Sequence, residues 1–160
     1  MRARIVTEIS CYLDNKPGIL ARLTARLAGA NVNINGMQSY EGSLQALVMM
    51  VVDKTELAEE TMRAMNIHLI SLTDILEVDV ASRVGGLSEV TAILGKSNIN
   101  IKSFYLVDNH SLASTAYIRV DEVEDSQRVL NTSASQLILN RQASRVQQHR
   151  SLGNQAKLNP

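Results

Sequence analysis

Residues 15–34 read NKPGILARLTARLAGANVNI, and residues 82–101 read SRVGGLSEVTAILGKSNINI. At an offset of 67, eight of these twenty positions are identical: Gly18/Gly85, Leu20/Leu87, Thr24/Thr91, Ala25/Ala92, Leu27/Leu94, Asn31/Asn98, Asn33/Asn100 and Ile34/Ile101. The flanks keep the offset. Ile9, Cys11 and Leu13 match Leu76, Val78 and Val80, both sets at period two. Self-similarity at a fixed period marks a repeated structural unit. The chain of 160 residues therefore reads as two copies of one unit, at 1–72 and 73–140, and a tail at 141–160.

Each copy predicts the same order of elements. Residues 6–13 alternate as a half-buried strand does. Asn15-Lys16-Pro17-Gly18 is a turn that launches a helix, because proline is tolerated in the first helical turn. Leu20, Leu23, Thr24 and Leu27 recur at helical spacing, with Arg22 and Arg26 on the other side and Gly29 near the end. Val32-Asn33-Ile34 opens a second strand, Glu41-Gly42-Ser43 turns the chain, and residues 44–52 form a third. Thr55 to Met65 reads as a helix with Thr55 as N-cap and Glu56 and Glu59 in its first turn. Ile67 to Leu72 returns as a strand. The second copy predicts a strand at 75–80, a helix at 86–96, strands at 99–107 and 112–120 around Asp108-Asn109-His110, a helix at 123–130 and a weak strand at Gln136–Leu139. The order βαββαβ predicts an α+β fold of two ferredoxin-like units, with antiparallel sheets and helices on one face.

Composition narrows the function. Apolar residues make up 45% of the chain and charged residues 20%, as in ordinary globular domains. Sixteen acids balance sixteen bases, so net charge does not point to a nucleic-acid or membrane partner. Aromatic content of 3% argues against a base-stacking surface. No apolar run reaches the length of a membrane span. The single Cys11 and the lack of an apolar signal core fit a cytoplasmic protein. Residues 126–160 carry Arg128, Arg141, Arg145, Arg150 and Lys157 and no acid, which predicts a solvated basic tail. His68, His110 and His149 are scattered, and no paired ligand spacing supports a metal. No nucleophile–base pattern or phosphate loop occurs, so neither catalysis nor a cofactor is expected.

The strand–Asn-x-Pro-Gly–helix–x-Asn-Ile–strand pattern of the first copy, repeated in Ser82-Arg83-Val84-Gly85-Gly86-Leu87 and Ile99-Asn100-Ile101, resembles the ACT domain. The resemblance spans about residues 5–140 and is similar to that of stand-alone tandem ACT proteins. It implies regulation by an effector amino acid held where two ACT domains meet, and a partner enzyme of amino-acid metabolism, such as a biosynthetic one. By the same resemblance the ligand-binding residues are Asn15, Lys16, Pro17, Gly18, Ile19, Leu20, Asn33 and Ile34. The second copy offers Ser82, Gly85, Gly86 and Asn100 as weaker equivalents. Serine-responsive members carry a His two residues before the turn Asn, and Leu13 stands here, which counts against serine but not against amino acids as a class. Chemically, backbone N–H groups at a helix N-terminus attract a carboxylate, and Asn side chains offer both donor and acceptor. Asn15 serves equally well as a helix cap, and Asn33 as a bond across to the turn. A transcription-linked regulator similar to the glycine cleavage repressor is the alternative.

One feature predicts an assembly. In strand 44–52 both rows are apolar, so either Leu44, Ala46, Val48, Met50 and Val52 or Leu47, Met49 and Val51 face away from the helices. That outward row is expected to be buried in a homodimer, or else relieved by a bulge or covered by the tail. The corresponding row of the second copy, Ala113, Thr115, Tyr117 and Arg119 beside Glu77 and Asp79, reads as solvated.

Overall fold

The computed structural model describes residues 1–108 and 112–134. The centre of the turn at 109–111, the expected strand at Gln136–Leu139 and the basic tail lie outside the described residues. The elements are β1 (Ala3–Asp14), α1 (Ile19–Gly29), β2 (Ile34–Tyr40), β3 (Gln45–Val52), α2 (Thr55–Ala64), β4 (Leu69–Ala81), α3 (Gly86–Lys96), β5 (Ile101–Val107) and β6 (Ala113–Val120). A fourth helix, α4, occupies residues 123–134. The fold is α+β, with one six-stranded antiparallel sheet in the order β2-β3-β1-β4-β6-β5.

The strands at 67–72 and 75–80 are one element. Nothing in Leu72-Thr73-Asp74-Ile75 breaks a strand, since neither glycine nor proline occurs there, and β4 runs through without a turn. Its partner β1 is equally long. Glu8–Asp14 pair with β3, while Ala3–Thr7 pair with Val78–Asp74 of β4. The flank of β4 next to the second repeat is thus filled by the first five residues of β1. A fourth strand of the second unit would otherwise lie there.

The helices all cover one face. Leu23 and Leu27 of α1 and Ala58 and Met62 of α2 pack on Ile9, Cys11, Leu13, Val48, Met50 and Val52. Val90 and Leu94 of α3 and Leu130 of α4 pack on Ala3, Leu76, Val78, Val80, Ala116, Ile118 and Val120. Asn31, Asn66 and Asn98 follow the ends of α1, α2 and α3 with φ near 58°. That left-handed residue is the usual helix stop, and Asn tolerates it. Burial raises the Cys11 thiol to about 11, so it stays a neutral core group.

The other face departs from expectation. Met49 and Val51 are 5% and 2% exposed, and the chain itself covers them. Val51, Ile75 and Tyr117 form a third core, against which Val6, Tyr105 and Val107 pack. Gly36 of β2 lies so close to β6 and β5 that a Cβ there would fall 2.5 Å from the Tyr117 ring and 3.0 Å from that of Tyr105. In a flat sheet, β2 and β6 would stand about 19 Å apart. The sheet therefore curls until its two halves meet, an exaggeration of normal strand twist. The stacked Tyr105 and Tyr117 rings, 5.0 Å apart, fill the concavity.

The row expected to be solvated is accordingly inside at Tyr117 and Glu77, while Ala113, Thr115, Arg119 and Asp79 are half-buried. Tyr117 is 3% exposed and Glu77 8%. Arg119 donates to Glu8 Oε2 at 2.6 Å and to Ser10 Oγ at 3.4 Å, across β4. Arg4 pairs with Glu77, whose Oε2 also accepts from the Tyr117 hydroxyl at 3.4 Å. Burial, then the Glu77 carboxylate, raises the Tyr117 phenol to about 12. Burial, then Glu8, pushes Tyr105 up further still.

Glu8 is fully buried, so removing its partner strands a charge. Arg119→Met is expected to cost about 3 kcal/mol or more. Adding Glu8→Met should return much of that loss, as measured by urea unfolding.

Candidate functional site

The turn between β1 and α1 is built by backbone geometry. Gly18 is the N-cap at φ 86°, and no side chain caps the helix. This left-handed conformation suits glycine, and it leaves first-turn N–H groups of α1 for another acceptor. Asn15 is not the cap. Its backbone N–H donates to Leu44 O at 2.9 Å and its Nδ2 to Gly42 O at 2.9 Å, so it clasps the β2–β3 turn. Lys16, Pro17 and Leu20 are exposed, and Ile19 is half-buried.

Asn33 stands elsewhere. Its backbone N–H donates to Asp53 Oδ1 at 2.8 Å, and its Nδ2 donates to Asn35 Oδ1 at 2.8 Å. Ile34 follows it as the first residue of β2. Asp14 lies opposite Gln45 and Ile34 opposite Val52, at the two ends of β3. Seven residue steps of strand separate them by about 23 Å. The structure does not bring Asn15 and Asn33 of one chain together.

The second turn repeats the first at the far end of the sheet, because β4 runs antiparallel to β1. Ser82 donates its backbone N–H to Leu112 O at 3.2 Å, as Asn15 does to Leu44. Gly85 matches Gly18 with φ 86°. Gly86 is glycine because a Cβ there would meet Ala81 O at 2.1 Å. Arg83 is paired with Glu89 at 2.5 Å. Asn100 mirrors Asn33, its N–H donating to Asp121 Oδ1 at 3.1 Å.

Beside the first turn lies a pocket of about 330 Å³, walled by Tyr12–Asp14, Ile19, Arg22, Gln45, the connection Met65–His68 and Leu69 and Ile70 at the start of β4. Of the residues read from sequence, Ile19 alone lines it. Arg22 was legible only as part of the polar side of α1, and the 65–70 stretch carries no motif. His68 lines the pocket; His110 and His149 lie outside the described residues. Among the described residues no group of three or more His, Cys, Asp or Glu side chains could hold a metal. No described helix is long and apolar enough to cross a membrane.

Comparison with known proteins follows this division. The ACT domain family model matches residues 7–68, the part that carries the first turn and all of the pocket wall but Leu69 and Ile70. No curated protein matches the sequence. Protein BT0572 from Bacteroides thetaiotaomicron has a similar structure, with a TM-score of 0.76 at 21% identity over 82% of this chain and 90% of that one. The ligand-free regulatory subunit of aspartate kinase from Thermus thermophilus gives 0.60 at 14% identity, over 82% and 96%. The corresponding subunit from Thermus flavus gives 0.55 at 16%, over 82% and 96%. These likenesses share the α+β fold of ferredoxin-type βαββαβ units.

A side chain at position 18 meets no neighbour within 4 Å, so its cost is purely conformational. Gly18→Ala is expected to lose about 1–2 kcal/mol through the left-handed backbone. Gly29→Ala, also in open space but within α1, should be neutral or stabilising. Thermal unfolding of the two variants checks the contrast.

Proposed function

We propose that this protein is an amino-acid-sensing regulatory module, two ACT units in tandem, that modulates an enzyme of amino-acid metabolism and has no catalytic role of its own. The observation that carries the reading is the first turn. Within the stretch that matches the ACT domain, an uncapped helix N-terminus stands beside a pocket that offers both Arg22 and Asp14. A zwitterion needs one partner of each sign, and both are present. The regulatory subunits of aspartate kinase with the same fold support an enzyme as the partner.

The assembly follows from topology. Asn15 and Asn33 lie at opposite ends of one unit, so a single chain cannot close both on one ligand. β2 is a free edge of the sheet. If two chains pair β2 antiparallel about a two-fold axis, the start of each β2 meets the level at which the other ends. That level is the end of the sheet carrying the Asn15–Gly18 turn. A homodimer of this kind supplies the ACT–ACT interface and covers the open edge. An effector bound beside the first turn favours the paired arrangement by its differential affinity for it, and a partner enzyme reads that shift.

Thermal unfolding against each of the twenty amino acids tests the reading. An effector at 100 times its dissociation constant should add about 2.7 kcal/mol of stability. One or two amino acids are expected to raise the midpoint, and Asn15→Ala, which unclasps the turn, should weaken the effect. A flat response to all twenty contradicts the sensor.

A further inference from the structure

The pocket beside the first turn is also a notch in the sheet. β4 pairs with β1 only as far as Cys11, opposite Leu69, while β1 continues to Asp14. In an antiparallel strand, successive residues direct their N–H and C=O groups to alternate sides. The overhang Tyr12–Asp14 therefore turns at least one residue's donor and acceptor toward the vacant flank. Two N–H groups of the connection next to it are engaged elsewhere. Asn66 N–H bonds back to Arg63 O at 2.9 Å and Ile67 N–H to Met62 O at 3.0 Å, both on α2.

The walls sort by polarity and depth. Ile19, Met65 and Leu69 are half-buried and pack against the first core, so they form an apolar floor. Arg22, Asp14 and His68 are exposed at the rim. Arg22 makes no ion pair or side-chain hydrogen bond among the described residues. Among the described residues the Asp14 carboxylate has only the exposed Lys16 at 3.2 Å, a weak competitor in water. The second repeat lacks this set. At the repeat offset Glu89 stands for Arg22, Ala81 for Asp14 and Gly86 for Ile19. Glu89 is moreover paired with Arg83.

We infer that the notch holds a free amino acid with an aliphatic side chain, in the first repeat only. Arg22 takes its carboxylate, Asp14 and the open edge of β1 take its ammonium, and the side chain lies on Ile19, Met65 and Leu69. This rests on the sensor reading and adds to it the site, the side-chain class and the asymmetry between repeats.

Calorimetric titration of the whole chain with the twenty amino acids, among them the four acids L-leucine, L-isoleucine, L-valine and L-methionine, and with L-leucinamide tests it. At least one of the four acids should bind. L-leucinamide, which lacks the carboxylate, should bind at least tenfold more weakly than L-leucine. In Arg22→Met the affinity for the acids should fall at least tenfold, and the preference of L-leucine over its amide should vanish. Glu89→Met, at the equivalent place in the second repeat, should leave affinity unchanged. An Arg22→Met protein that keeps full affinity and full preference for the acid overturns the inference. So does binding confined to polar or charged amino acids, which would leave the sensor standing while removing the notch. If none of the twenty amino acids binds, the sensor reading itself fails and the notch with it.

Discussion

The ladder between β1 and β4 is the constraint on which the rest of the molecule depends. It joins two repeats into one sheet by pairing Ala3–Cys11 with the stretch from Val78 back to Leu69. Both strands are longer than either repeat alone needs. Because the repeats are staggered along this ladder, β1 overhangs β4 beyond Cys11 and leaves a notch at the first turn. For the same reason the β4 flank of the second repeat is closed by Ala3–Thr7. The two ends of the molecule become chemically different although their sequences are related.

The curl of the sheet is the second consequence. Helices on one face leave the other to be covered or solvated. Here the concave face is filled by side chains from both repeats, with Val51, Ile75 and Tyr117 at its centre. Gly36 is what lets β2 approach β6 closely. The buried carboxylates are matched across strands, Glu8 with Arg119 and Glu77 with the half-exposed Arg4. Buried pairs of this kind add little net stability, but losing one partner is costly.

Much of the fold was legible in the sequence because its local rules are explicit. The period-two rows, the helical spacing of Leu20, Leu23 and Leu27, and the Pro-Gly turn each specify an element. Gly18 and Gly85 hold left-handed caps, as repeat-matched turn glycines suggest. Asn31 and Asn98 match because they stop equivalent helices. The concave core was not legible. Alternation assigns Tyr117 and Glu77 to an outward row and leaves open which row of strand 44–52 faces outward, and it does not say that two outward rows meet once the sheet curls. The candidate site was half legible. The turn is local, whereas the pocket walls from Arg22, Gln45 and the 65–70 stretch converge only through tertiary packing.

Nuclear magnetic resonance titration of the labelled protein with free amino acids tests the central claim most directly. The account predicts that an aliphatic amino acid shifts amide signals of residues 12–22 and 65–70, while residues 82–89 of the second turn stay in place. Shifts confined to the second turn, or no shifts with any amino acid, would contradict it.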